Sequence, residues 1–131
     1  MSKFSRSKGQ RGEREVIHLL QPVLNEIYEE LGIAPVLLQR NTLQSDRGGY
    51  DIVGLEDFAI EVKRVEKLNI KKWWEQTLRQ TRPGQIPVLF YRQSYKPWFV
   101  KYTFDGEVRE LDVFLNFLRD YVKKSLTNTR N

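Results

Sequence analysis

Asp51 and the run Glu61-Val62-Lys63 are the residues of this chain whose types and spacing could do chemistry. Residues 50–54 and 58–64 read as two short strands around a Leu55-Glu56-Asp57 turn. A hairpin centred on Glu56 sets Ile52 opposite Ile60 and Asp51 directly opposite Glu61, with Cβ atoms about 4.5–5.5 Å apart. Side chains alternate between the faces of a strand, so Asp51, Glu61 and Lys63 point one way. Tyr50, Ile52, Phe58, Ile60 and Val62 point the other way and belong to a core. Two opposed carboxylates repel unless a cation or a proton intervenes. A hard divalent ion resolves the conflict, because Mg2+ takes one or two carboxylates plus water and phosphate oxygens. Lys63, one strand step from Glu61, could hold a phosphate or polarise a water. Such a set supplies what phosphodiester hydrolysis needs: a metal, a means of generating a nucleophile, and a charge clamp. The plain alternative is a solvated hairpin whose Asp, Glu and Lys form a surface ion-pair ladder.

Positioning that set requires a sheet and helices to cover it. Val16, Ile17, Leu20, Val23, Leu24, Ile27 and Leu31 recur with helical spacing from about residue 10 to residue 31. Pro22 interrupts this run and predicts a kink or a second segment opening at the proline. Gly32 ends the helix, 36–40 reads as a first strand, and 41–49 as a polar loop. After the two strands around Glu56, 69–81 is helical, 87–91 and 98–104 are strands, and Asp105-Gly106 is a tight-turn signal. A final helix from Asp112 as N-cap to about Leu126 places Val113, Phe114, Phe117, Leu118, Tyr121 and Val122 on one face. The order α-β-β-β-α-β-β-α predicts one α/β domain over residues 1–131, built on a central mixed sheet of five strands flanked by helices. Residues 1–8 read as a flexible basic arm.

The 131 residues carry 22 Lys+Arg against 17 Asp+Glu, for a formal charge of +5, with no Cys and one His. Residues 1–14 hold +4 and residues 63–82 hold +5, so the remainder is −4. That segregation marks an electrostatic footprint for an anionic partner. Zero cysteines exclude thiol catalysis, zinc ribbons, iron–sulfur clusters and disulfides. A single histidine, His18, excludes chemistry that needs two and argues against an HNH or ββα-metal nuclease. No apolar run approaches the roughly 20 residues of a membrane span, and the N-terminus lacks the apolar core of a signal peptide. The expected location is cytoplasmic, in a bacterial, archaeal or phage-infected cell.

The pattern Asp51…Glu61-Val62-Lys63 resembles the core of the PD-(D/E)XK nucleases. The match extends to Gly9-Gln10-Arg11-Gly12-Glu13-Arg14-Glu15 on the first helix and to Ile86-Pro87-Val88-Leu89 on the fourth strand, over roughly residues 8 to 103. In that combination it is most similar to archaeal-type Holliday junction resolvases and related phage endonucleases. The resemblance implies a restriction-endonuclease-like domain acting as a Mg2+-dependent DNA endonuclease, with Mn2+ as a substitute. It also implies branched DNA as substrate and a homodimer. The implied metal set is Glu13, Asp51, Glu61 and Val62, and Lys63 joins the three acids as catalytic. A helical wheel places Glu13 near the middle of the Val16, Leu20 and Leu24 stripe and Glu15 toward solvent. An inward carboxylate needs a partner, which the metal site would supply. Gln76 and Gln80 are both eligible for the glutamine that many such nucleases carry on the following helix, and Gln76 is preferred as nearer the sheet edge. Ser45 corresponds loosely to a serine that resolvases place before the Asp, and Tyr50 replaces the proline of the family pattern, which many members also lack.

Candidate DNA contacts are Lys3, Arg6, Lys8, Arg11 and Arg14 near the N-terminus, and Arg40, Ser45 and Arg47 around the loop before Asp51. Arg64, Lys67, Lys71, Lys72 and Arg79 add a third group, running from the catalytic strand into its helix. Of the adjacent Trp73 and Trp74, one is expected in the core, the other stacked on a base or in a dimer interface. Trp74 and the helix over 114–121 are the candidate dimer surfaces. A structure-selective DNA endonuclease is the first functional reading. The others are a non-catalytic nucleic-acid-binding domain and a repair or restriction-like nuclease acting on linear duplex.

Overall fold

The computed structural model describes residues 3–42, 49–103 and 105–130. Helix α1 (Lys3–Leu31) is continuous. The expected interruption at Pro22 does not occur, and the residues read as an arm lie in the helix from Lys3 onward. Pro22 is exposed, so the carbonyl it leaves unbonded faces water, while Leu20, Val23 and Leu24 hold both sides of it in the core. The helix closes in a Schellman cap, with Gly32 at φ +70° and Ile33 N–H donating to the Tyr28 carbonyl at 3.0 Å.

Only Gln39–Arg40 of the expected first strand is strand (β1), pairing antiparallel with β2 (Ile52–Val53). The rest is taken by a side chain of α1. Gln21 Nε2 donates to the Val36 carbonyl and Gln21 Oε1 accepts from Leu38 N–H, both at 2.8 Å. The predicted single five-stranded sheet is therefore replaced by this short ladder and a four-stranded sheet in the order β3-β4-β5-β6. Strands β3 (Phe58–Arg64) and β4 (Ile86–Arg92) run parallel with Glu61 beside Leu89 and Lys63 beside Tyr91. They are joined by helix α2 (Ile70–Gln80), the crossover that a parallel pair requires. Strands β5 (Phe99–Tyr102) and β6 (Val108–Glu110) follow antiparallel. The Asp105-Gly106 turn leads into β6, a strand absent from the sequence prediction because Val-Arg-Glu has no buried alternation of its own. Helix α3 (Leu111–Arg130) closes the chain.

One face of the sheet is covered by α1 and α3. Val16, Leu20, Leu24, Phe58, Ile60, Val88, Phe90, Phe114 and Leu118 pack there with at most 1% exposure. Each such side chain contributes about 1.5–3 kcal/mol by leaving water. Phe58, Phe90 and Tyr102 meet Phe114 edge to face, with centroids 5.0–6.4 Å apart. The other face carries a smaller cluster, Trp73 of α2 on Leu89 and Tyr91. The chemistry-bearing side chains of β3 point to this second face.

Candidate active site

Ala59, Glu61 and Lys63 alternate along β3 on the α2 side, as strand geometry requires. Asp51 comes to them from the segment just before β2. Its main-chain N–H donates to the Ile60 carbonyl at 2.7 Å, and its carboxylate Oδ2 accepts the Val62 N–H at 2.8 Å. The expected ladder between the two strands is not formed, because the Asp51 side chain takes the main-chain donor that a further paired residue would use. The juxtaposition of Asp51 and Glu61 is nevertheless realised, and both are buried, at 6% and 4% exposure. Asn41 fixes the approach: its N–H donates to the Asp51 carbonyl and its Nδ2 to the Tyr50 carbonyl, each at 2.8 Å. From the sequence Asn41 is merely the first residue of a polar loop, and its burial is what marks its role.

Burial and the adjacent Asp51 carboxylate push the Glu61 carboxyl up to about 8, against a smaller opposing effect of Lys63. Lys63 Nζ lies 3.6 Å from Glu61 Oε1. Glu61 Oε2 is buried with no hydrogen-bond partner, which is costly unless another group satisfies it. Two clustered, buried carboxylates, one with an oxygen that no hydrogen bond satisfies, make a donor set of the hard, oxygen-only kind that Mg2+ or Mn2+ prefers, with a lysine alongside. The residues present fit such an ion. Val62 has its side chain in the core, so only its main chain could contribute.

Glu13 is not part of this group. Among the described residues no three acidic or histidine side chains stand close enough to share one ion. The partner expected from a metal site is instead Arg40, whose Nε donates to Glu13 Oε1 at 2.7 Å. Glu15, expected toward solvent, is only one-third exposed and pairs with Arg64 at 3.2 Å and Arg92 at 3.1 Å. The cause is the close crossing of α1 over the end of β3 at Gly12, where an added Cβ would stand 2.9 Å from Arg64 Cβ. Arg40 and Arg64, candidate DNA contacts, are thus each engaged by a glutamate of α1.

Helix α2 forms the far wall. Lys63, Lys67, Lys72, Trp73 and Gln76 line a groove beside the acidic pair. Gln80 lies one turn further on, against Gly49, where a Cβ would come within 2.7 Å of its side chain. Its Oε1 is buried without a partner. Trp73 takes the core position, while Trp74 is covered by Lys101, 5.3 Å over its ring, and by Gly106. The proposed dimer surface on 114–121 is ruled out for Phe114 and Leu118, which are fully buried. Lys67, Lys71, Lys72, Arg79, Arg11 and Arg14 are exposed. Ser45 and Arg47 lie outside the described residues, as do the side chains of Lys3, Arg6 and Lys8.

A mixed sheet with an Asp approaching from one side, a Glu-x-Lys strand and a basic helix beside it defines the PD-(D/E)XK class of nucleases. A family model described as "Phage putative PDDEXK endonuclease" matches residues 4–114, and the chain belongs to that family. No curated protein matches the chain, and no solved structure does. Among the described residues no helix is long and apolar enough to cross a membrane.

Proposed function

We propose that this chain is a divalent-metal-dependent DNA endonuclease that acts on branched DNA as a homodimer. The observation that carries the catalytic part is the buried Asp51–Glu61 pair with its unsatisfied Glu61 Oε2, opening beside Lys63 onto a basic groove. Burying two adjacent carboxylates is costly for a structural ion-pair ladder, and a bound cation would offset that cost. Asp51 and Glu61 would hold Mg2+ or Mn2+, with Glu13 joining them on release from Arg40 and the Val62 main chain nearby. The ion would supply Lewis-acid polarisation of the phosphate and of water. Lys63 would hold a non-bridging phosphate oxygen or orient the attacking water, and Gln76 would contact the same phosphate from α2. Water adds to phosphorus and gives up a proton as the bond to the 3′ oxygen breaks; that oxygen takes up a proton to become the 3′ hydroxyl, and the phosphate stays on the 5′ side. Lys67, Lys71, Lys72 and Arg79 would follow the flanking phosphates, with Arg11, Arg14 and the more N-terminal cations extending the footprint.

The branched substrate and the dimer rest on the resemblance to archaeal-type resolvases. Incubation with a four-way junction, a flap and a linear duplex, each with Mg2+ or with EDTA, separates the readings. Preferential cutting of the junction in Mg2+ supports the proposal. Preferential cutting of linear duplex makes the chain a repair or restriction-like nuclease. Binding of all three with no cutting makes it a non-catalytic DNA-binding domain.

A further inference from the structure

The connection between β4 and β5 holds a feature that the acidic site does not use. Tyr95 is 99% exposed, and its φ of +63° is the left-handed conformation that a side chain with a bulky ring disfavours. Its ring therefore buries nothing within the chain, and its backbone conformation is held by the surroundings. The turn is closed by Lys96 N–H donating to the Gln93 carbonyl at 3.1 Å. It is clamped to the segment that leaves β3. Ser94 donates through both its N–H and its hydroxyl to the Glu66 carboxylate, and Gln93 Nε2 donates to the Glu66 carbonyl at 2.7 Å. Glu66 lies three residues beyond Lys63, so the ring is tied to the exit of the catalytic strand.

Leu68 lines both the groove of Lys63, Lys67 and Gln76 and an adjoining cavity bounded by Arg92, Lys96 and Phe99. Lys67 and Lys96 are exposed along this path. A fully exposed aromatic on a hydrogen-bonded turn, next in sequence to Lys96 of that path, is the kind of group that stacks an unpaired base while lysines hold the phosphates. Paired bases present no free face to such a ring.

Building on the nuclease reading, we propose that Tyr95 is a stacking post for an unpaired base in the DNA flanking the acidic site. It selects DNA whose strands are splayed there over continuous duplex.

The test is metal-free binding, in EDTA, of a splayed-arm DNA and of a fully paired duplex of equal length. It compares wild type, Tyr95→Ala, Tyr95→Phe and Tyr95→Gly, with 2-aminopurine among the unpaired bases as a stacking reporter. Tyr95→Ala is expected to weaken splayed-arm binding about tenfold, the cost of losing one stacked base. Duplex affinity should stay within about twofold, and the 2-aminopurine quench should disappear. Tyr95→Phe should keep the preference. Tyr95→Gly suits the positive φ, so it should melt no lower than wild type yet lose the preference, which separates stacking from a fold defect. An unchanged preference and quench in Tyr95→Ala would overturn the stacking role and leave the nuclease reading intact. Equal binding of splayed-arm DNA and duplex by the wild type would also overturn the stacking role, while the nuclease reading stands or falls separately on cutting in Mg2+.

Discussion

The carboxylate of Asp51 accepts the main-chain N–H of Val62 at 2.8 Å, so an acidic side chain stands where a strand's own carbonyl would sit. That bond turns β2 away from the four-stranded sheet and holds a second carboxylate against Glu61. It separates two effects that substitution of Asp51 would otherwise mix. Asp51→Asn keeps an acceptor for Val62 and removes the repulsion that sets in above about pH 8, where Glu61 ionises, and in that range it is expected to melt at or above wild type in EDTA. Asp51→Ala leaves a buried N–H unsatisfied, costing about 1–3 kcal/mol less the relief of repulsion, and should melt below Asp51→Asn. Thermal melts of the three proteins in EDTA check this order.

The raised Glu61 carboxyl predicts how pH acts on the protein and on its metal affinity. With its proton held to about 8 when folded, against 4.5 as the ordinary value, the folded state binds the extra proton between those limits. The resulting stability is fully present below about pH 4.5 and is lost as pH rises through about 8. Urea unfolding in EDTA should show Glu61→Gln losing less stability than wild type between about pH 5.5 and pH 8.5. Binding an ion must displace that proton, so Mn2+ affinity should strengthen with pH up to about 8, with proton release measurable by calorimetry in buffers of different ionisation enthalpy.

Much of this arrangement was legible in the residue order, and the rest was not for identifiable reasons. The α1 stripe, the α3 stripe apart from Val113, which is 44% exposed, the bounds of β3 and the juxtaposition of Asp51 with Glu61 follow from period and spacing. The lost part of the first strand and the broken ladder depend on Gln21 and Asp51 using side-chain atoms on main-chain partners, which hydropathy cannot register. Glu13 was inward as the wheel required, but the partner it finds is Arg40, 27 residues away in sequence. Strand β6 forms only because β5 offers it an edge.

Gly12 sets how closely α1 lies on β3. Gly12→Ala places a methyl 2.9 Å from Arg64 Cβ and 3.5 Å from Val62 Cγ1. Overpacking of about 1–3 kcal/mol outweighs the gain of about 1 kcal/mol in helix propensity. The variant should unfold at lower urea than wild type with an unchanged slope, measured by circular dichroism.

Glu13 and Arg40 are both partly exposed, so their ion pair contributes at most about 1 kcal/mol to stability. Glu13→Gln should therefore melt within a few degrees of wild type. If Glu13 joins the metal set in the working enzyme, the same variant should need severalfold more Mg2+ for half-maximal cleavage. A titration of initial rate against Mg2+ reads this out.

The central claim is that Asp51, Glu61 and Lys63 form one hydrolytic site. It is tested most directly by cleavage and binding measured on the same four-way junction for wild type, Asp51→Asn and Lys63→Ala. The account predicts Mg2+-dependent cutting by wild type to 5′-phosphate ends. Both variants should bind the junction within a few-fold of wild type and cut it slower by about 10²-fold or more. Cutting by either variant at the wild-type rate would contradict it.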